Sequence, residues 1–219
     1  MTAKKIGSAR DEVLRRIRAA NGATSNAVSA QTGWGAVARE YKSSATRDLE
    51  AVFNLLEDRL RDYDAQIVRS SLVGVASKVK EMLSARGKQR IVMPAGLAAE
   101  WLPAGFTFVL DEGMAASELD EFDGVITGST VAIAETGTVV LQNALGQGRR
   151  AVTLVPDYHL CLVRGRDVVE TVPEAMARLQ GMAELATTFI SGPSATADIE
   201  MTRIKGVHGP RFLDVILIV

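Results

Sequence analysis

Apolar residues recur at the spacing of an amphipathic helix in two segments near the start of the chain. The first segment is Ser8–Ala20 and the second is Thr46–Arg61. Both are predicted to be helices, because apolar residues three and four positions apart fall on one helical face. The stretch between them, residues 21–44, is rich in Ser, Thr, Gly, Asn and Ala and lacks apolar periodicity. It is predicted to be an extended or flexible connection.

Short apolar runs then alternate with helical patterns as far as Thr127. A helix is predicted over Leu72–Arg86, where Gly87 closes it. Strands are predicted at Ile67–Val68, Arg90–Met93, Phe106–Leu110 and Gly124–Ile126. This alternation indicates an α/β fold with a mainly parallel sheet and helices on both faces. Such sheets bind ligands at the carboxyl ends of their strands.

The pattern changes after Thr127 and becomes richer in strands. A hairpin that turns at Thr136-Gly137 is predicted over residues 131–141. A helix is predicted from Thr171 to about Ala186, because Thr171 and Glu174 form a capping box around Pro173. The remaining predicted strands are Ala151–Val155, His159–Val163, Thr188–Ile190 and Leu213–Val219.

Composition and length indicate one folded domain with an arm. The 219 residues are 47% hydrophobic and 23% charged, which is ordinary for a globular protein. We predict an N-terminal helix and flexible arm over residues 1–45 and an α/β domain over residues 46–219. No run of about 18 apolar residues and no secretory signal is present, so we predict a cytoplasmic protein without a membrane span.

Charge and cysteine content exclude several functions. A net charge of −1 argues against a basic nucleic-acid-binding protein. Cys161 is the only cysteine, and an iron–sulfur cluster or a thiolate zinc site needs several. With two distant histidines beside that single cysteine, no metal site is predicted. Any iron–sulfur cluster must therefore belong to a partner protein.

The first of three polar clusters adjoins the predicted hairpin. It contains Thr127, Gly128, Ser129 and Thr130, followed by Glu135, Thr136, Gly137 and Thr138. Small hydroxyl residues beside glycines let backbone N–H groups approach an anion closely. Glu135 is the candidate acid, base or nucleophile of this cluster. The alternative is a purely structural hairpin whose hydroxyl groups cap the turn.

The other two polar clusters lie near the end of the chain. The second contains Ser191, Gly192, Ser194, Thr196 and Asp198 and follows the strand that ends at Ile190. Such a turn can present backbone N–H groups to a phosphate or carboxylate, although Ser194 or Thr196 could equally cap a helix. The third cluster is centred on His208, which lies between glycines and is a candidate for proton transfer or a structural turn residue. We expect all three clusters to converge on one anion-binding pocket at the carboxyl edge of the sheet.

Five motifs together carry a resemblance to a known family. They are Asp123–Gly128, Ala134–Thr138, Pro156–His159, Gly192–Glu200 and Gly206–Pro210. In this order they resemble the lactate utilization (LUD) domain, and the single-domain form without cysteine motifs resembles the lactate utilization protein C (LutC) family. The resemblance implies a fold akin to the NagB, RpiA and CoA-transferase group. It also implies a role beside LutA-like and LutB-like iron–sulfur proteins in oxidising L-lactate to pyruvate.

Three functions are compatible with these observations. The first is a subunit of an iron–sulfur lactate-oxidising system that carries no cluster itself and binds a small anion or a partner's cofactor. The second is a stand-alone enzyme of the isomerase or CoA-transferase type, with Glu135 as base or nucleophile and a phosphorylated or acyl-CoA substrate. The third is a regulatory or scaffolding module whose pocket senses a metabolite. The resemblance favours the first.

Overall fold

The computed structural model describes residues 8–20, 27–196, 204–206 and 208–219. The chain divides into two units, residues 1–41 and 42–219. In the first unit, α1 is Ala9–Ala20, as predicted, and α2 is Ala27–Gly35. Helix α2 contradicts the prediction of an extended connection for those residues. A helix without an apolar face leaves no periodic signal in the sequence, because the local backbone hydrogen bonds that define it do not depend on side-chain type.

The second unit alternates strands and helices up to residue 127 and is mostly strand thereafter. Its helices are α3 (Leu49–Asp62), α4 (Val75–Ala85), α5 (Ala116–Leu119) and α6 (Val172–Leu179). Its strands are β1 (Gln66–Ser70), β2 (Arg90–Met93), β3 (Thr107–Leu110), β4 (Gly124–Thr127), β5 (Val131–Ile133), β6 (Thr138–Gln142), β7 (Tyr158–Arg164), β8 (Val168–Val169), β9 (Thr187–Ile190), β10 (Ala195–Thr196), β11 (Ile204–Lys205) and β12 (Phe212–Ile218). Among the residues that the structure describes, no helix has the length and apolar composition needed to cross a bilayer.

Six strands form a central sheet in the order β1-β12-β7-β4-β2-β3. Every neighbouring pair in it is parallel, which confirms the predicted parallel α/β architecture. The last strand, β12, pairs with β1 on one side and β7 on the other. Residues 213–218 of this strand are all buried, as expected in the middle of a covered sheet for a segment that is apolar except for Asp214.

The predicted hairpin is the middle of a second sheet with the order β8-β5-β6-β9. Strands β5 and β6 are antiparallel, as predicted, and β9 pairs antiparallel with β6. The two-residue strand β8 has no counterpart among the predictions. The strand predicted at Ala151–Val155 is wrong, because this segment forms consecutive tight turns in which Val152 N bonds to Arg149 O at 3.1 Å. Its apolar residues contact the core from a turn, which composition alone does not distinguish from a strand.

The central sheet is covered on both faces, as the sequence predicts. On one face, α3 and the second sheet pack against alternate residues of β7 and β12, including Cys161, Leu213 and Val215. On the other face, α4 and the Trp101 side chain pack against the residues in between. Burial of both faces removes about 25 cal/mol of unfavourable hydration for each Å² of apolar surface, so this layering is the main source of stability.

One buried carboxylate anchors the beginning of the second unit. The Glu170 side chain has no exposed surface, although it is charged. It accepts hydrogen bonds from Lys42 Nζ, from the Arg47 guanidinium, and from the backbone N–H groups of Thr46 and Arg47. The Lys42 contact is the largest of the effects that lower the pKa of Glu170 from 4.5 to about 2. These bonds tie the chain just before α3 to the residue that follows β8.

We expect Glu170→Gln to destabilise the protein in a pH-dependent way. Because the folded-state pKa of Glu170 lies below the unfolded value, the carboxylate stabilises the folded state fully above about pH 4.5 and loses this effect as the pH falls towards about 2. The difference in unfolding free energy between wild type and variant should therefore be largest near neutral pH and shrink towards pH 3. Urea unfolding at several pH values measures it.

The matched control is Glu184→Gln, since Glu184 is exposed. Its effect should stay within about 0.5 kcal/mol at every pH. A Glu170→Gln effect that does not change with pH would contradict the assignment of Glu170 as an ionised anchor.

Candidate functional site

A cavity of about 230 Å³ lies where the amino ends of β7 and β12 meet the carboxyl end of β9. Phe189, Ile190 and Leu213 form its apolar part. Its polar lining consists of the side chains of Arg150, Thr153, His159, Ser191, Ser194 and His208. None of the described residues that line it is an aspartate or glutamate. The described lining therefore offers hydrogen bonds and positive charge and contains no carboxylate.

His159 forms the inner wall of the cavity and is held in the neutral state. It is the second residue of β7 and is 1% exposed. Its Nε2 atom lies 2.8 Å from Thr127 Oγ1, which in turn lies 3.8 Å from Cys161 Sγ. Burial, with a smaller effect from the charge of Arg150, lowers the pKa of His159 to about 3. The imidazole is thus uncharged at physiological pH, and Nε2 is the ring nitrogen that shares a hydrogen bond with Thr127.

Cys161 shares this hydrogen-bonded group but does not have the properties of a reactive thiol. It is fully buried, and burial raises the pKa of its thiol to about 12. Its Sγ lies 3.7 Å from the carbonyl oxygen of Gly128. A thiol without appreciable thiolate is a poor nucleophile. Its contribution is to complete the hydrogen bonding of Thr127.

Arg150 supplies the positive charge of the cavity. Its Nη1 atom donates to the backbone carbonyl of Thr153 at 3.0 Å and to the Thr153 hydroxyl at 3.1 Å. Among the residues that the structure describes, no carboxylate forms an ion pair with Arg150, and partial burial lowers the pKa of its guanidinium. A partly desolvated cation without a counter-charge favours the binding of an anion.

Two loops that bond to each other close the outer wall. The backbone N–H of His208 donates to Ser194 Oγ at 3.0 Å, and the backbone N–H of Ser194 donates to the Pro210 carbonyl at 2.8 Å. Gly192 has a positive φ of 86°, which a residue with a side chain rarely adopts. These contacts bring Ser191, Gly192, Ser194 and His208 to one cavity, which agrees with the predicted meeting of the second and third clusters.

The first cluster reaches the cavity only through a chain of hydroxyl groups. Thr136 Oγ1 lies 2.7 Å from Thr138 Oγ1, and Thr138 Oγ1 lies 2.7 Å from Ser191 Oγ. Thr136 and Thr138 therefore orient Ser191 without lining the cavity themselves. Thr127 acts in the same indirect way, through His159.

Glu135 does not line the cavity. Its carboxylate accepts a hydrogen bond from Lys42 Nζ at 3.1 Å, beside the Glu170 anchor. Gly137 forms the hairpin turn, where an added Cβ would lie 2.7 Å from Arg59 Cβ. Neither Glu135 nor Gly137 is among the residues that line the cavity. The local contacts of both are those of a structural hairpin.

The remaining predicted residues of the first cluster bond to the surrounding core. The backbone N–H of Gly128 donates to the Gly146 carbonyl at 2.7 Å. Ser129 Oγ donates to the Leu162 carbonyl at 3.4 Å, and Thr130 Oγ1 donates to Gln147 Oε1 at 2.9 Å. None of the three lines the cavity. In the second cluster, Thr196 belongs to β10, and Asp198 lies outside the described residues.

The expected position at the carboxyl edge of the central sheet is wrong for this cavity. The turn that carries His208 leads into β12, and His159 stands at the beginning of β7, so both lie at the amino edge of that sheet. Of the two clusters that line the cavity, only the second follows the carboxyl end of a strand, β9, and that strand belongs to the second sheet. The packing of two sheets brings opposite strand ends together, which the rule for a single parallel sheet does not cover.

Sequence reasoning missed three residues of the lining. Thr153 belongs to the segment that was predicted as a strand, Arg150 directly precedes it, and His159 lies in an apolar run typical of a buried structural histidine. Residue type was the one signal that could have identified Arg150 and His159, since arginine and histidine are uncommon among buried residues. Within the described part of the chain, no group of three or more His, Cys, Asp or Glu side chains is placed to hold a metal ion.

The fold and the motifs around the cavity define a known class of α/β domain. Residues 12–218 match the family model described as the LUD domain. The chain therefore belongs to the LUD domain family. A crystal structure of a DUF162 family protein from Deinococcus radiodurans superposes with a TM-score of 0.70 at 33% sequence identity, covering 80% of this chain and 100% of that one.

Several relatives carry a more particular name. A protein from Deinococcus radiodurans called lactate utilization protein C is 40% identical over 181 residues, which is 81% of this chain and 84% of that protein. Proteins with the same name from Geobacillus kaustophilus and Bacillus licheniformis are 28% and 26% identical, over 78% and 74% of this chain and 80% and 75% of their own lengths. The motif-based resemblance to this family is thus confirmed.

We expect Gly192→Ala to destabilise the protein by about 2–4 kcal/mol, because a Cβ is strained at positive φ and crowds its neighbour. The added Cβ would lie 2.5 Å from Tyr63 Cβ and 3.0 Å from the Tyr63 carbonyl oxygen. The control is Gly181→Ala, whose added Cβ would have no neighbour within 4 Å. Urea unfolding of both variants tests this, and equal stability of the two would show that the Gly192 turn tolerates a side chain.

Proposed function

We propose that this protein acts in lactate utilization, in the cytoplasm, as a subunit without an iron–sulfur cluster of its own. LutA-like and LutB-like iron–sulfur proteins are the proposed partners, and the cavity binds a small anion that this system handles. The names of its relatives support the process, and the LUD domain match supports the family. The single, buried Cys161 supports a division of labour in which the clusters belong to other chains.

The main support for the proposed anion site is the positive charge of Arg150, which no carboxylate among the described residues neutralises. This arginine lines a cavity in which no described side chain is acidic. Five residues with hydroxyl or imidazole side chains line the same space: Thr153, His159, Ser191, Ser194 and His208. A cation flanked by neutral hydrogen-bonding groups is the usual composition of a site for a carboxylate or another small anion.

A stand-alone isomerase or CoA-transferase is less well supported. That chemistry assigns Glu135 as base or nucleophile, and Glu135 instead pairs with Lys42 away from the cavity lining. An acyl-CoA is also large compared with a cavity of about 230 Å³. We therefore do not propose a catalytic role for Glu135, and we treat His208 as an anion-binding residue.

We expect a strain that lacks this gene to grow poorly with L-lactate as its carbon source and normally with glucose. The wild-type gene should restore growth, whereas the Arg150→Gln variant should not, since losing a charged hydrogen bond weakens anion binding by about tenfold or more. Growth rate in the two media is the measurement.

Arg166→Gln is the matched control, because the Arg166 side chain is 73% exposed and does not line the cavity. It removes the same charge from the protein and should restore growth fully. Normal growth of the deletion strain on L-lactate would overturn the proposed process. Full rescue by Arg150→Gln would overturn only the proposed anion site.

We further expect the purified chain to contain no stoichiometric iron or sulfide, and an affinity-tagged chain to retain iron–sulfur proteins when isolated from lactate-grown cells. The reason is that Cys161 alone cannot hold a cluster. Metal analysis and mass spectrometry of the two preparations measure this. Stoichiometric iron in the isolated chain, or no retained iron–sulfur protein, would count against the proposed division of labour.

A further inference from the structure

We infer that an apolar groove at the carboxyl edge of the central sheet docks a segment of another protein in which apolar side chains are flanked by acidic ones. The groove has a volume of about 820 Å³ and lies at the opposite ends of β7 and β12 from the cavity. The inference concerns this second surface and rests neither on the anion site nor on the proposed process. Its grounds are the apolar lining of the groove, its charge and its concave shape.

The groove is formed where strands of the central sheet end. Arg164 and Ile218, which line it, are the last residues of β7 and β12. The loop after β1 contributes Leu72, and the segment between β2 and β3 contributes Trp101. Open α/β sheets bind their ligands at this edge, because the loops that follow parallel strands collect there. The groove therefore lies where such a fold offers a binding surface.

Apolar side chains form both the floor and part of the rim. The floor consists of Phe53, Trp101 and Ile218, which are buried and belong to the core. On the rim, Leu49 and Leu72 are each 61% exposed. A single exposed leucine is ordinary, but exposed leucines that border a groove with an aromatic floor form a shared apolar surface. Such a surface is typical of a binding site.

Two arginines beside this apolar surface lack a counter-charge. Arg164 and Arg178 are exposed and line the groove, and neither forms an ion pair with a carboxylate in the described part of the chain. The Arg164 guanidinium lies 5.1 Å from the centre of the Trp101 ring, and Arg178 Nη1 donates to the Arg166 carbonyl at 3.1 Å. These contacts hold both cations at the groove and leave further N–H groups for a carboxylate.

The other charged residues of the groove do not cancel these two. Arg166 Nε lies 3.9 Å from Asp167 Oδ1 and its side chain is 73% exposed, so we assign no partner contact to Arg166. Glu100 is the one acidic residue among the described residues of the lining. The groove therefore keeps a net positive charge, which attracts acidic side chains and repels basic ones.

The shape of the groove favours a protein segment over a lipid surface. A bilayer presents a broad surface, whereas the floor formed by Phe53 and Trp101 lies inside a concave groove. Apolar side chains that project from one face of a helix fill such a groove, and charged residues beside that face contact the rim. Carboxylates flanking the apolar face would meet Arg164 and Arg178.

A second copy of this chain does not offer a matching segment. Helix α1 is amphipathic, but it carries four arginines against two acidic residues, which is the wrong sign of charge. The stretch 111–123 carries six acidic residues, but its apolar residues Leu119 and Phe122 are buried in its own core. Neither segment combines exposed apolar side chains with negative charge. The occupant is therefore a different protein.

Selection of random peptides displayed on phage, with the full chain as the target, tests this inference. Peptides of about 12 residues allow roughly three helical turns. The enriched sequences should combine apolar with acidic residues and contain few basic ones. A synthetic peptide of the consensus sequence should bind the Arg164→Gln/Arg178→Gln double variant about tenfold or more weakly, since two charged contacts are lost. Leu72→Ser should weaken binding about fivefold. Fluorescence anisotropy measures both effects.

Arg90→Gln and Leu145→Ser are the matched controls. Arg90 begins β2 at the amino edge of the sheet, and its guanidinium also stacks on an aromatic ring, 4.4 Å from the centre of Phe122. Leu145 is 81% exposed and does not line the groove. Both variants should bind the consensus peptide as the wild type does. Urea unfolding establishes that every variant is folded.

Several results would overturn the inference. They are failure to enrich any sequence, a basic or purely polar consensus, and unchanged binding by the folded double variant. Binding to phosphatidylglycerol vesicles that Leu72→Ser abolishes would assign the groove to a membrane instead. A dimer that the same variant dissociates would assign it to a second copy. None of these results bears on growth with L-lactate, so the proposed function is tested separately.

Discussion

The parallel pairing of β12 with β7 is the interaction on which the rest of the structure depends. It runs over seven residue pairs, from Phe212 beside Tyr158 to Ile218 beside Arg164. Asp214 fixes its register, because the buried carboxylate accepts two hydrogen bonds from Arg86 and one from the Tyr158 hydroxyl at 3.0 Å. A shift by one residue would move every side chain of β12 to the opposite face of the sheet and separate the Asp214 carboxylate from Arg86 and Tyr158, which would leave it unpaired in the core at a high cost. The final strand is therefore held in one position.

The same pairing creates the cavity. Inserting β12 next to β7 brings the turn that carries His208 against the beginning of the strand that carries His159. The second sheet then adds Ser191 and its neighbours from the end of β9. Because these groups come from a core strand, a turn and a second sheet, the His159 imidazole is almost completely buried. This burial is the main reason that its pKa is lowered and that it is neutral at physiological pH.

Much of the fold could be predicted from the sequence, because it is encoded locally. The capping box of Thr171 and Glu174, the helical periodicity of α3 and the apolar strands β2, β4 and β12 were all identified by pattern. The site was predicted less completely. Ser191, Gly192, Ser194 and His208 were found because glycines and hydroxyl residues next to a strand are unusual, and these do line the cavity. Glu135 was included for its reactivity, but its partner Lys42 lies 93 residues away, and no local pattern reveals such a pair.

The sequence by itself determined the class of the protein: an α/β domain of the LUD family, without the cysteines that a cluster requires. These properties depend on residue order, periodicity and composition, which are present in the chain before it folds. The tertiary structure alone decided that Arg150 and His159 belong to one site and that the site lies at the amino edge of the central sheet. Arg150 comes from a turn and His159 from a buried strand, so their meeting depends on how two sheets pack together. Burial and proximity then set the charge of each group, and neither can be read from a residue's neighbours in sequence.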